Sequence, residues 1–237
     1  MICKICGSEF ELVEGLSFCP NCGNRIEEER NECPWEERER YGAVEALFLT
    51  WKNSIFSPSN FYRSVPPKGG IRNALIYAII IGAIGISIKL IWGYIFRAVQ
   101  VPFMMKNHRF EYLMSGRMLL FLIVLSPIII VVFTFIGAGI YHICLSIIRG
   151  ANRDFEATFK AVCYSYGPYL FQIVPICGQL VGSVWIIVMY VIGLREMHRT
   201  TTGKAMFAVF LPLILCLGVI FIFIILAFSM MLGKMFR

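Results

Sequence analysis

Residues 118–148 read MLLFLIVLSPIIIVVFTFIGAGIYHICLSII, 31 positions without one Asp, Glu, Lys or Arg. At a rise of 1.5 Å per residue a helix of that length measures about 46 Å, against a bilayer hydrocarbon core of roughly 30 Å. No soluble core calls for such a run, so this stretch fixes the class as an all-α polytopic membrane protein. Being over-long, it must tilt, kink at Pro127 or project beyond the bilayer. Its Gly137-Ala138-Gly139 offers a narrow face to a neighbouring helix.

Working outward, similar runs occupy most of the chain beyond residue 70. Five crossings are predicted, at about 71–96, 118–148, 155–174, 179–194 and 205–231, forming one membrane domain over 71–237. Gly82 and Gly85 give the first crossing a close-packing face, and Lys89 lies near enough to its outer end to snorkel. The whole chain agrees with this reading: 58% of its 237 residues are hydrophobic and 16% charged, with a mean hydropathy of +0.71. Soluble domains run nearer 45–50% apolar and about 25% charged.

Charge divides the chain. Residues 1–40 hold 10 acids and 5 basic residues, while the remainder holds 17 Lys and Arg against 5 acids. An acidic head gives nucleic acid no basic patch to bind, so no nucleic-acid partner is predicted. The opening MICKICGSEF lacks the apolar core of about 7–15 residues that a signal peptide needs, so the head is expected in the cytoplasm. With the head inside, the inner flanks carry 10 Lys and Arg and the outer flanks 6. That bias predicts a multi-pass protein of the cell (plasma or inner) membrane, amino terminus cytoplasmic and carboxyl terminus outside.

Four of the nine cysteines form two pairs, Cys3/Cys6 and Cys19/Cys22, each with two intervening residues and a following glycine, Gly7 or Gly23. Two such turns point four thiolates at one tetrahedral ion. A four-sulfur set leaves no position open for water, so one structural zinc ion is predicted, in a ribbon over 1–26. Phe10 to Phe18 would be its β-hairpin, with Glu14-Gly15 in the turn. A head this short needs such a staple, and a cytoplasmic setting disfavours disulfides. The ribbon either presents a docking surface to a protein partner or simply caps the chain.

Residues 27–40 form a charged linker in which Cys33 reads as a bystander. Over 41–70 two amphipathic helices are predicted. Val44, Leu47, Phe48, Trp51 and Ile55 recur at helical spacing, and Ser57-Pro58 starts a second helix. Aromatic amphipathic helices just before a span suit the membrane interface, with Trp51, Phe56, Phe61 and Tyr62 as its contacts.

The third predicted crossing is the most polar. Tyr164, Tyr166, Tyr169 and Gln172 surround Gly167-Pro168, whose proline frees a backbone carbonyl, and Gln179 opens the next helix. These residues are the candidate intramembrane ligand site; alternatively, the polar side chains bond neighbouring helices in a packed bundle. His108, His142 and His198 fall in no metal-ligand spacing, and the spans carry no carboxylate beyond their ends for a proton relay. No enzyme is predicted.

The two cysteine turns followed by CPWEERERYG at 33–42 begin a wider pattern. It continues with LFLTWKNSIFSPSNFYRSVP at 47–66, DFEATFKAVCYSYGPYLFQIVPICG at 154–178 and GLREMHRTTTGKA at 193–205. In this order the segments resemble the YIP family, multi-pass proteins named for interaction with Ypt/Rab GTPases, in its prokaryotic form with a zinc ribbon. The resemblance implies five spans, a cytoplasmic amino terminus and no established enzymatic chemistry. Two functions stay open on the sequence: a membrane adaptor or organiser that docks a protein partner at its head, or a transporter or channel for a lipid or small solute through the third-span region. Homo-oligomerisation through the glycine faces fits either.

Overall fold

The computed structural model describes residues 6, 8, 21, 22, 33–104 and 109–235. The chain divides into two compact units, Met1–Glu32 and Cys33–Arg237, so the boundary falls inside the charged run at 27–40. In the first unit Cys6 and Cys22 are described; Cys3, Cys19 and the expected hairpin at 10–18 lie outside the described residues.

The second unit is helical. Its elements are α1 (Arg38–Tyr41), α2 (Ala43–Phe56), α3 (Pro58–Ser64), α4 (Arg72–Met104), α5 (Arg109–Ile147) and α6 (Phe155–Tyr164). A 3-10 helix (Gly167–Ile173), α7 (Cys177–His198) and α8 (Thr202–Met235) follow. Among the described residues there is no strand. Four helices are long and apolar enough to cross a membrane: Arg72–Phe96, Gly116–Ile147, Cys177–His198 and Thr202–Phe223.

The expected third span, 155–174, is corrected by the structure: it is not a membrane-length helix. After ten residues α6 stops at Tyr164, because Pro168 has no N–H to continue the ladder and its ring crowds the preceding turn. The chain resumes as a tighter 3-10 helix with Pro168 in its first turn. Thr158 near the start of α6 meets His198 at the end of α7, while Gly178 at the start of α7 abuts Phe171. The broken segment therefore runs antiparallel to the whole of α7. Its length is roughly 29 Å, from ten residues at 1.5 Å and seven at 2.0 Å. The reversal between them is sharp. Ile176 takes φ 64° and ψ −69°, a γ-turn closed by Cys177 N–H donating to Pro175 O at 2.7 Å and strained for a β-branched residue.

One end of the bundle collects the starts of α4, α6 and α8 and the ends of α5 and α7; it is called the polar end below. α5 leads back to it unbroken through Pro127. A proline there leaves the Ile123 carbonyl without its helical donor, and in lipid that group must be satisfied internally. Ser126 does so: its Oγ donates to Ile123 O at 2.8 Å.

The glycine faces meet the 3-10 helix. A Cβ at Gly82 would lie 2.9 Å from the Tyr166 ring, and one at Gly85 would lie 2.5 Å from Tyr169 Cβ. So the narrow face of α4 is filled within the chain. Gly137 and Gly139 face open space, although Ala138 between them is buried.

Candidate functional site

The polar side chains of the second unit gather at its polar end. Cys33 and Trp35 are 1% and 4% exposed, although they stand in the charged run. Trp35 donates its indole N–H to Asn73 O at 2.7 Å and its backbone N–H to Thr50 Oγ1 at 3.0 Å. Asn73 Nδ2 donates to Glu36 Oε2 at 2.8 Å, and Tyr164 O–H donates to Glu36 Oε1 at 2.8 Å. Arg38 reaches Asn73 Oδ1 at 2.9 Å while its guanidinium lies 5.4 Å from the Trp35 ring centroid. The segment at 33–38 is thereby locked to α2, α4 and α6. Burial, with the nearby Glu36 carboxylate adding to it, pushes the Cys33 thiol up to about 11. It is a core residue, held neutral.

α2 packs with an inverted face. Ala46, Thr50, Ser54 and Ile55 are buried, while Val44 is 83%, Phe48 57% and Phe56 73% exposed. The inward hydroxyls are satisfied, Thr50 by Trp35 and Ser54 by donating to Trp51 O at 2.8 Å. Trp51 donates its indole N–H to Gly167 O at 3.0 Å, a carbonyl at the α6 break. On α3, Phe61 and Tyr62 are buried at 3% and 1%. Phe61 stands edge-on to Tyr164 at 5.4 Å, and the Tyr62 hydroxyl lies 2.8 Å from Ser165 Oγ. Of the four expected interface residues, Phe56 is open, Trp51 is half-buried and Phe61 and Tyr62 are core.

The intramembrane candidates divide in the same way. Tyr166 shares a 2.9 Å hydrogen bond with Thr134 Oγ1 and stacks on Tyr169 at 5.1 Å between centroids. Gly167 is buried under Ser54 and Ile55, and Pro168 presents its carbonyl to the Gly182 position. Tyr164 belongs to the Glu36 cluster. Gln172 is half-buried and Gln179 exposed. The structure thus brings together Tyr164, Tyr166, Gly167, Pro168 and Tyr169 as the packed seam where α2, α4, α5 and α7 meet the broken helix. Gln172 and Gln179 stand outside that seam.

Two further buried arrangements complete the polar end. Thr158 Oγ1 lies 2.8 Å from His142 Nδ1 and 2.8 Å from His198 Nε2. Arg153 N–H donates to His198 Nδ1 at 3.3 Å, so that nitrogen is an acceptor and the proton sits on Nε2. His198 then donates to Thr158, whose hydroxyl is left to donate to His142 Nδ1. Lys160, fully buried, donates to Pro66 O at 2.8 Å and to Lys68 O at 3.4 Å, and pairs with Glu156 at 3.2 Å. Gly70 N–H donates to the same Glu156 at 2.6 Å. The 65–70 loop is thus held by one ion pair on α6. At the end of α7, Glu196 receives Arg63 at 2.8 Å and Arg195 at 2.5 Å.

Sequence reasoning missed Glu36, Asn73, Thr158, Lys160 and Glu196. One signal was present: a tryptophan and a cysteine inside a run of charges. The spacing of His142, Thr158 and His198 carries no such sign, because three separate elements supply them.

In the first unit, Asn21 Nδ2 lies 4.0 Å from Cys6 Sγ. The turn that precedes Cys22 is thereby set against the second thiol of the other pair, and Cys6 Sγ is 3.0 Å from Ser8 Oγ.

A family model described as the Yip1 domain matches residues 52–231. No curated protein and no solved structure gives a match.

Proposed function

The chain belongs to the Yip1 domain family, and from that premise we propose that it is a non-enzymatic membrane adaptor whose head docks a cytoplasmic protein partner. The observation that carries the reading is the lock at 33–38. Immediately after the first unit, Cys33 and Trp35 are buried and Trp35, Glu36 and Arg38 are bonded to Asn73 and Tyr164. A bonded segment at the very start of the membrane unit gives the chain ahead of it a fixed point of departure, which suits a docking module. The polar networks described above also satisfy one another in buried positions, which is the work of a scaffold. The family is not known for enzymatic chemistry.

In this proposal Cys3, Cys6, Cys19 and Cys22 hold one structural zinc, which supplies folding energy to the head. The facing of Asn21 and Cys6 supports it. Four unbroken helices and the α6 passage give five crossings, with the head cytoplasmic and the carboxyl terminus outside. The outward apolar face of α2 (Val44, Phe48 and Phe56) rests on the bilayer surface.

The test is crosslinking of the full chain in its native membrane, followed by identification of bound proteins and of metal content. One zinc per chain and a partner lost together in Cys19→Ser with Cys22→Ser would support the proposal. A partner set unchanged by that substitution would reject the docking role, and a chain purified without zinc would reject the ribbon.

A further inference from the structure

Arg63, Arg153, Arg195 and Arg199 line one cleft of about 560 Å³ with Tyr62, Glu196 and Thr200. Four arginines share that lining with one carboxylate, and the carboxylate is committed to Arg63 and Arg195. Arg195 is further held by Ser59 at 3.0 Å. The other nearby acids are also engaged: Asp154 with Lys68 at 3.6 Å and Glu156 with Lys160 at 3.2 Å. Among the described residues, Arg153 and Arg199 have no carboxylate within 4.0 Å.

Arg199 sits where helices most often place glycine. It caps α7 in the left-handed conformation, at φ 49° and ψ 47°, which is unfavourable for a residue that bears a side chain. Arg153 is half-buried, and its backbone is fixed by the bond to His198. Burial, with the charge of Arg199 adding to it, lowers the Arg153 guanidinium from its ordinary value. Among the described residues no carboxylate lies close enough to offset these two like charges. The negative carbonyl end of α7 offsets only about half a charge.

We propose that this cleft binds a phosphate group, held by the forked donors of Arg153 and Arg199, with Arg63 and Arg195 completing the positive wall. Planar guanidinium forks match phosphate oxygens in pairs. The cleft opens at the end of the membrane-length helix Cys177–His198, the level at which lipid phosphates lie. The group therefore comes from an anionic lipid headgroup or from a soluble phosphate ester that reaches the same surface.

The sources are separated by phenylglyoxal labelling of the full wild-type chain in nanodiscs, with peptide mapping of Arg153 and Arg199. The chain in phosphatidylglycerol discs is compared with the same chain in phosphate-free maltoside micelles, the latter with and without glycerol phosphate in solution. Protection by phosphatidylglycerol assigns the lipid, and protection by glycerol phosphate assigns the soluble ester. Protection in neither arm overturns the proposal. In parallel, retention of phosphatidylglycerol is followed by native mass spectrometry for Arg153→Gln with Arg199→Gln. Affinity is expected to fall about tenfold or more with the loss of two charge-assisted contacts. Lys52→Gln with Arg72→Gln, outside the cleft, should leave it unchanged, and an equal loss in both pairs would also overturn the site. Because the labelling arms use the unaltered chain, a failure of the variants to fold does not blunt the test.

Discussion

At the scale of single residues, the segment at 33–38 is where hydropathy misleads. Glu36 is a charged residue in a charged run, yet Tyr164 and Asn73 both donate to its carboxylate at 2.8 Å. Glu36→Ala leaves a buried tyrosine hydroxyl and an amide without an acceptor, at a cost of roughly 1–3 kcal/mol. The expected outcome is a lower unfolding midpoint in detergent, and Glu36→Gln, which keeps one acceptor, should fall between. Cys33 makes a chemical prediction. With its thiol at about 11, roughly one molecule in a thousand is thiolate at pH 8, and the thiolate is the reactive form. Maleimide labelling followed by peptide mapping should leave Cys33 unmodified in the folded chain and modify it after denaturation. Rapid labelling of Cys33 in the native protein would contradict the buried anchor. Phe61 and Tyr62 show the opposite error of reading. Aromatic residues ahead of a span suit an interface, but these two bury against α6, because Ala161 and Gly193 leave room for the Tyr62 ring.

At the scale of elements, four long helices were legible because an uncharged run longer than the bilayer is thick admits few other structures. The predicted edges, such as 179–194 for a helix that runs over Cys177–His198, were short by a few residues where polar ends extend past the apolar run. The passage at 155–174 was read as one continuous span, and the sequence did not show that it breaks. Its Pro168 signalled a freed carbonyl, but where a break becomes a 3-10 helix depends on α2 and α7 packing against it. A proline of the other kind sits in α5. There Ser126 takes over the carbonyl that Pro127 cannot serve, and a sequence shows this only as a Ser-Pro pair. Ser126→Ala should destabilise the bundle by roughly 0.5–2 kcal/mol. In Ser126→Ala with Pro127→Ala the new N–H at 127 can donate to Ile123 O, so stability should return. Unfolding titrations in SDS of the two single variants and the double close the cycle. Additive losses would show that Ser126 does not act through that carbonyl.

At the scale of the molecule, the order of elements makes a statement that no single helix makes. α4 leaves the polar end, α5 returns to it, α7 returns to it and α8 leaves again. Two successive returns require an outward pass between them, and the only chain between α5 and α7 is α6 with the 3-10 helix. At roughly 29 Å that passage approaches the thickness of the hydrocarbon core. Its backbone is irregular where Trp51 donates to Gly167 O and where Gly82 and Gly85 close over Tyr166 and Tyr169. Irregular backbone at membrane depth is tolerated where protein covers it. The prediction is that a tag fused before Cys33 and a tag fused after Arg237 are labelled from opposite faces of sealed, oriented membranes. The same side for both would mean that the α6 passage enters and leaves by one face, and the membrane unit would then cross four times. The Gly85→Leu variant adds an internal check. Its side chain would be driven into Tyr169, uncovering the broken passage. Opposite-sided labelling should weaken in that variant if α4 is what holds the passage across the bilayer, and persist unchanged if the passage is held by α7 alone.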